Sequence, residues 1–132
     1  MFTTINSVLS SPDETDFNSL LAATQKAYVL GEIERYRQWA LLLDKMASPR
    51  KGEYYLLRAK EALVIQKDSA GAQKWGLKAL DSLPKHREVV LLVAGLLLQN
   101  GEVKRARQVL TNANLLSGEF EDWLEKTRWL VP

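Results

Sequence analysis

One stretch of the sequence, Arg87–Gln99 (REVVLLVAGLLLQ), constrains the fold more than any other. Its ten central residues, Val89–Leu98, carry no polar side chain. A helix at a protein surface normally has one apolar stripe, so a helix that is apolar all round must be covered on every side. Ten apolar residues are too few to span a bilayer, which needs about twenty. We therefore expect one side of this helix to pack on the protein's own core and the other side to bind something else.

Start and stop signals divide the rest of the chain into further helices, and no segment is typical of a strand. The three valines of the apolar stretch would also suit a buried strand, but the alanine and leucines that follow favour a helix. Ser11 is the predicted N-cap of the first helix, because Pro12 suits the first helical position and Glu14 can bond back to the cap. Asp68 or Ser69 is predicted to cap the fourth helix. The predicted helices cover about 12–30, 32–46, 53–66, 69–82, 87–99, 102–116 and 119–131.

The bulk composition is that of one soluble globular domain. The chain has 132 residues, 46% of them hydrophobic and 26% charged, which is enough to bury a core. Its 18 basic and 16 acidic residues give a net charge of +2, which is too small to indicate nucleic-acid binding. The absence of cysteine excludes disulfides and thiolate metal sites. We predict a flexible arm over residues 1–10 with no secretory signal, followed by one cytoplasmic domain over residues 11–132.

No set of residues has the spacing of a catalytic, cofactor or metal site. His86 is the only histidine, and its position beside a helix start is typical of a surface residue. No glycine-rich stretch carries the Lys-Ser/Thr ending of a phosphate-binding loop. Lys104, Arg105 and Arg107 form a basic group that is too small for a nucleic-acid interface. We therefore predict no catalytic residue, no cofactor, no metal, no small-molecule substrate and no nucleic-acid partner.

The chain also contains an internal repeat with a period of 34 residues. Four pairs of apolar residues coincide at this shift, namely Leu57 with Leu91, Leu63 with Leu97, Ala72 with Ala106, and Ala79 with Ala113. Small residues recur where two helices of a hairpin approach closely, which gives the repeated alanines a physical reason. A period of this length is typical of stacked helical hairpins, which need several copies to bury a continuous core.

With this period the chain resembles the tetratricopeptide repeat (TPR) family, whose repeat is two antiparallel helices in 34 residues. The residues that carry the resemblance are Ala94, Gly101, Ala106, Leu110 and Ala113 in one repeat, and Ala72, Ala79 and Pro84 in the repeat before it. In that earlier repeat Lys60 and Gly76 depart from the pattern, and a shift of one residue would use Ala59, Gly71 and Trp75 instead. The resemblance implies three antiparallel hairpins, over about 12–47, 53–83 and 87–117, and a capping helix over 119–131.

In TPR proteins the first helix of each hairpin lines a concave surface that binds ligands. The resemblance places Glu88 there, together with the nine residues that we predict to bind a partner: Tyr54, Leu57, Glu61, Val64, Ile65, Leu91, Gly95, Leu98 and Gln99. Some family members carry Lys, Asn and Arg there to clamp a carboxylate, but the equivalent residues of this chain are Leu57, Glu61, Leu91 and Gly95. An apolar groove with a gap at glycine suits an amphipathic helix of a partner protein. The alternative is that the first hairpin folds over this surface and buries it.

The size, the three hairpins and the apolar lining are similar to those of the TPR chaperones of type III secretion systems, particularly those that guard needle subunits. Such chaperones cover an adhesive helix of their partner until export. The resemblance therefore implies a non-catalytic binding protein or chaperone. A permanent scaffold subunit of a larger assembly and a regulatory adaptor are the alternatives.

Overall fold

The computed structural model describes residues 11–115, and every regular element in this range is an α-helix. The prediction of an all-α fold is therefore confirmed for the described part of the chain. The helices are α1 (Phe17–Val29), α2 (Ile33–Asp44), α3 (Lys51–Val64), α4 (Ser69–Ser82), α5 (Arg87–Gln99) and α6 (Val103–Asn112). The predicted N-terminal arm and the predicted capping helix over 119–131 lie outside the described residues.

The first helix begins later than the sequence predicts. Its N-cap is Asp16, whose carboxylate accepts a hydrogen bond of 3.1 Å from the backbone N–H of Ser19. The predicted cap at Ser11 is therefore wrong. Asp16 offers a carboxylate acceptor directly before Phe17, which is the first buried residue of the helix, and so satisfies the unpaired N–H groups of the first turn where burial begins.

A turn around Asp13 occupies the segment in which the helix was expected. The Asp13 carboxylate accepts hydrogen bonds from the Thr15 hydroxyl at 2.6 Å and from the Thr15 N–H at 2.9 Å. These two hydrogen bonds, the one from the hydroxyl foremost, hold the pKa of the Asp13 carboxyl below its ordinary value. Side-chain hydrogen bonds of this kind compete with helix formation, so the helix starts only after Asp16.

The chain divides into two compact units, and the boundary lies within α3 between Tyr54 and Tyr55. In the first unit α1 packs against α2 across a turn at Gly31, whose φ of +76° suits glycine. Each of these two helices buries one face, at spacings of three and four residues. The buried side chains are Phe17, Leu20, Leu21, Thr24 and Ala27 of α1, and Tyr36, Trp39, Ala40 and Leu43 of α2.

Side chains from the first turn of α3 hold the connection from α2. The ammonium group of Lys51 donates to the carbonyl oxygens of Asp44 at 2.8 Å and Met46 at 2.5 Å, where the end of α2 leaves acceptors unpaired. The Tyr54 hydroxyl donates to the Asp44 carboxylate at 3.0 Å. The sequence predicts a link over residues 50–52, whereas α3 already includes Lys51 because these contacts order its first turn.

In the second unit α5 packs against both α4 and α6. The core of this unit draws on four helices, and five of its nine buried residues come from α5. These nine residues are Leu56 of α3, Ala79 of α4, Val89, Val90, Val93, Ala94 and Leu97 of α5, and Ala106 and Leu110 of α6. The apolar helix that the sequence singles out is thus the centre of this unit.

α6 is shorter than predicted. It ends at Asn112, whereas the sequence indicates a helix to Leu116. The left-handed backbone of Asn114, with φ of +59°, and a hydrogen bond of 2.8 Å from the Leu115 N–H to the Leu110 carbonyl close its C-terminus. The helical spacing of the sequence predicts Val103 on the inward face with Ala106 and Leu110, whereas it is 47% exposed at the start of this helix.

The backbone of α4 approaches α5 closely at Gly76. A Cβ atom at this position would lie 3.1 Å from the Cγ2 atom of Val93, which is tighter than ordinary van der Waals contact. In one of the two registers of the resemblance, the TPR pattern has a large residue at the place of Gly76, and in the other that place falls to Trp75. Here the side chain of Val93 occupies that space from the opposite helix, so the glycine is a consequence of packing.

Left-handed residues at the helix ends give a test of backbone strain. Lys67 has φ of +54°, and a non-glycine residue in this conformation costs roughly 1–2 kcal/mol. We therefore expect Lys67→Gly to raise the free energy of unfolding by about 1 kcal/mol, and Gly101→Ala, at φ of +79°, to lower it by a similar amount. Urea unfolding followed by circular dichroism measures both changes. The control is Lys74→Gly, at an exposed position inside α4, which should lower the free energy of unfolding. If Lys67→Gly also lowered it, the backbone of Lys67 would not be strained.

Candidate protein-binding surface

The apolar helix α5 is bounded by well-defined caps. Its N-cap is His86, whose Nδ1 atom accepts a hydrogen bond of 3.4 Å from the Val89 N–H. Its C-terminus is closed by Gly101, whose φ is +79°. The helix therefore occupies Arg87–Gln99, the range that the sequence predicts. Because Val89–Leu98 carry no polar side chain, both faces of α5 are apolar and have to be covered, either within the unit or by a partner.

The side chains of α5 separate into two arcs. One arc is buried and consists of Val89, Val90, Val93, Ala94, Leu96 and Leu97. The other arc contains four of the predicted groove residues, all partly exposed, and we call it the open face of α5: Leu91, Gly95, Leu98 and Gln99. Leu91 and Leu98 also touch the core of the second unit with part of their side chains. The open face is therefore partly accessible, and apart from Gln99 at its end it is apolar and packed on the core beneath it.

The predicted groove residues of α3 are placed differently. Tyr54 has no exposed surface and belongs to the first unit, whereas the other predicted groove residues belong to the second. Leu57 and Glu61 are 6% and 4% exposed. A partner protein could not reach these three side chains in this conformation. Val64, which is 58% exposed, and the partly exposed Ile65 lie at the end of α3 and remain accessible.

Glu61 is a buried carboxylate with partners at both oxygen atoms. One oxygen lies 3.0 Å from the Nε atom of Arg58, and the other accepts a hydrogen bond of 3.1 Å from the side-chain amide of Gln66. A charged group is tolerated inside a protein only when it is paired and hydrogen-bonded in this way. These contacts assign Glu61 to the support of α3 and its C-terminal turn.

An ion pair joins α3 to α5 beside the open face. It links Lys60 to Glu88, and their side chains are 37% and 53% exposed. An exposed pair of this kind contributes little to stability. The pair lies at the N-terminal end of α5, since Glu88 stands three residues before Leu91 of the open face.

A second group of accessible side chains lies on α3 and α4, and sequence reasoning did not find it. The rings of Tyr55 and Trp75 lie 6.0 Å apart, and the Arg58 guanidinium lies 4.7 Å from the Trp75 ring centroid. The Lys78 ammonium lies 5.1 Å from the Trp75 centroid and 5.7 Å from that of Tyr55. We call these four residues the cation–aromatic patch. A sequence signal for it exists, because each helix places a cation three residues after an aromatic residue.

Comparison with known proteins finds no matching family model, no matching curated protein and no matching solved structure. None of the helices between residues 11 and 115 is long and apolar enough to cross a membrane. Within the same range, no group of three or more His, Asp or Glu side chains could hold a metal ion. Two surface features of the described residues bear on function: the open face of α5 and the cation–aromatic patch.

Proposed function

We propose that this chain is a non-catalytic protein-binding module that holds an amphipathic helix of a partner protein on the open face of α5. One observation carries the proposal: α5 has no polar side chain from Val89 to Leu98, yet Leu91, Gly95 and Leu98 on its second arc are only partly buried. A helix that is apolar all round normally has both arcs covered. A partner helix with apolar residues at spacings of three and four would cover the second arc.

The spacing of the leucines on the open face suits such a partner. Leu91 and Leu98 are seven residues apart, so they lie on the same side of α5 about 10 Å, or two turns, from each other. Gly95 lies between them in the sequence and carries no side chain. A partner helix could insert an apolar side chain there and place its neighbours on the two leucines.

The class of protein proposed is a TPR-like stack of helical hairpins acting as a cytoplasmic chaperone or binding subunit. The packing of α5 between α4 and α6, and the short connections between consecutive helices, support this proposal. Its narrowest form is a chaperone of a helical, polymer-forming subunit such as a type III secretion needle protein. Such a partner would bury its own apolar stripe on the open face.

Photo-crosslinking tests where the partner binds. A benzophenone amino acid replaces Gln99, on the open face, and in a matched variant it replaces Gln108, which is exposed on α6. In cells that produce the protein, we expect the Gln99 variant to crosslink to another protein through a peptide with amphipathic helical spacing, and the Gln108 variant not to do so. Adducts of equal yield at both positions, or adducts only to a second copy of this chain, would contradict the proposal.

The double substitution Leu91→Asp with Leu98→Asp tests the same surface by loss of binding. Two carboxylates would have to be buried without partners under the apolar stripe of the bound helix, so we expect the affinity to fall by about two orders of magnitude or more. Retention of the crosslinked partner on the purified variant measures this loss. Circular dichroism should show a folded chain, because both positions are partly exposed in the free protein. Normal binding by a folded variant would refute the role of the open face.

A further inference from the structure

The sequence of residues 116–132, which follow the described part of the chain, has the apolar pattern that the open face of α5 requires of a partner. Four large apolar residues of this segment fall on one side of a helix over 119–131: Phe120, Trp123, Leu124 and Leu130. Most of the other positions in the same range carry charged side chains. The segment therefore has the pattern of an amphipathic helix.

The chain leaves the described part at the core on which the open face rests. Leu115 packs against the same core cluster as Leu91 and Leu98. Because α5 and α6 pack on each other across a connection of three residues, 100–102, they run in opposite directions, and the end of α6 lies toward the N-terminal end of α5. The four residues after Leu115 can extend about 13 Å. A helix over 119–131 is about 20 Å long, which is enough to cover the roughly 10 Å between the two leucines.

The outer side of α6 is a less suitable surface for this segment. Its exposed residues are mostly polar or charged: Lys104, Arg105, Arg107, Gln108, Thr111 and Asn112. Within α6, all of which the structure describes, Val103 is the one large apolar side chain that is exposed. Large apolar side chains packed there would bury polar groups without partners, which costs free energy. The open face offers two leucines and the space at Gly95 instead.

We propose that the segment 119–131 binds as an amphipathic helix on the open face of α5 in its own chain, and that the partner helix displaces it. The proposal rests on the proposed function, because it concerns the regulation of the same surface. A tethered segment acts at an effective concentration of roughly millimolar, so even weak contacts keep the face covered. The partner has to compete with the segment, and its apparent affinity falls in proportion to the fraction of chains whose face is open. The apolar face is thus protected from unspecific association when no partner is present.

Photo-crosslinking of the purified full chain tests where the segment lies. With a benzophenone amino acid in place of Gln99, we expect an adduct within the same molecule to residues 126–131, because the segment runs from the N-terminal toward the C-terminal end of α5. The same amino acid in place of Gln108, which is exposed on α6, should form no such adduct. Mass spectrometry of the digested monomer identifies the crosslinked residues. An adduct to the segment from position 108 and none from position 99 would overturn the proposal.

A synthetic copy of the segment tests whether the open face can exchange its occupant. The probe is a fluorescein-labelled peptide of residues 117–132, and fluorescence anisotropy measures its affinity for the full chain. Phe120→Ala with Leu124→Ala removes apolar contacts of the tethered segment, so we expect this variant to bind the probe about tenfold more tightly than the parent chain does. Glu121→Ala with Glu125→Ala, at the same spacing on the charged side of the segment, is the matched control and should bind the probe as the parent does.

Addition of Leu91→Asp and Leu98→Asp to the Phe120→Ala, Leu124→Ala variant should abolish binding of the probe, because the peptide would have to bury two carboxylates. Circular dichroism and thermal melting verify that each variant is folded. Equal affinity of the parent and the Phe120→Ala, Leu124→Ala variant for the probe would overturn the proposal.

The crosslinking results separate this proposal from the proposed function. If position 99 crosslinks to a partner in cells but forms no adduct within the purified chain, the segment does not cover the open face, whereas the proposed function stands. If the adduct within the chain forms and no partner is crosslinked in cells, the segment is a permanent part of the fold, and both proposals fail.

Discussion

Ala94→Phe is expected to unfold the second unit under conditions in which the parent chain is stable. Ala94 has no exposed surface and shares the core of that unit with Ala79 and Ala106, which are also fully buried. These small residues leave no space for a phenyl ring between α5 and its neighbours. Overpacking of this kind costs roughly 1–3 kcal/mol, and more where helices are close, so we expect a loss of at least about 3 kcal/mol. A domain has only about 5–15 kcal/mol of stability to lose.

The matched control is Gln99→Phe, which introduces the same side chain on the open face of α5. Gln99 is partly exposed, so its replacement should change the free energy of unfolding by no more than about 0.5 kcal/mol. Urea unfolding followed by circular dichroism gives both values. Equal losses at the two positions would mean that the open face is internal, and the proposed binding surface would then be lost with it.

Glu61→Ala is expected to cause the second large loss, of about 3 kcal/mol. The substitution leaves Arg58, whose side chain is 21% exposed, without its carboxylate, and it also removes the acceptor for the Gln66 amide. Removing one partner of a buried ion pair is strongly destabilising because the remaining charge is uncompensated. Thermal and urea unfolding of the variant measure the change.

Glu102→Ala provides the comparison for Glu61→Ala. Glu102 also pairs with an arginine three residues away, but both side chains of that pair are substantially exposed, at 35% and 53%. Its removal should therefore cost no more than about 1 kcal/mol. If Glu61→Ala left stability unchanged and weakened only the binding of a partner, Glu61 would be a groove residue as the TPR resemblance implies, and its structural role would be wrong.

The position of α5 could be predicted from the sequence because ten apolar residues fill its centre and Gly101 marks its end. The cap at its start was not predicted: the sequence indicated only a surface position for His86, whereas the structure shows its Nδ1 atom accepting from the Val89 N–H. Asp68 was one of two predicted caps for α4, and it accepts the Gly71 N–H at 2.9 Å. Signals of this kind are local, so they operate before any tertiary contact forms.

The surroundings of α3 could not be predicted in the same way. The apolar residues of this helix lie on two faces, and the sequence alone does not indicate which face is covered. Ala59 on one face and Tyr54 on the other are both fully buried. The prediction of a groove required the face with Tyr54 to be exposed to solvent. Burial of a second face is decided by packing that no spacing within the helix encodes.

The cation–aromatic patch could be predicted from the sequence only in part. Tyr55 with Arg58, and Trp75 with Lys78, are visible as pairs three residues apart in the sequence. Their assembly into one patch depends on the rotation of α3 and α4 about their own axes, which sets the distance of 6.0 Å between the two rings. Helical periodicity predicts which side chains lie on the same face of each helix. Whether side chains of two helices contact each other depends on tertiary packing.

The contact between Gly76 and Val93 has a consequence for how this sequence can vary. The two residues share one volume across α4 and α5, because a Cβ atom on the glycine would lie 3.1 Å from the valine side chain. Substitutions can then transfer side-chain volume from one position to the other, so that a larger residue at 76 is accompanied by a smaller one at 93. A repeat motif that treats each position independently would count the residue at 76 and the residue at 93 as two mismatches. The total volume packed between the two helices would nevertheless be unchanged. In an alignment of related sequences, covariation between positions 76 and 93 would reveal this shared volume, which the residue preferences at each position alone do not show.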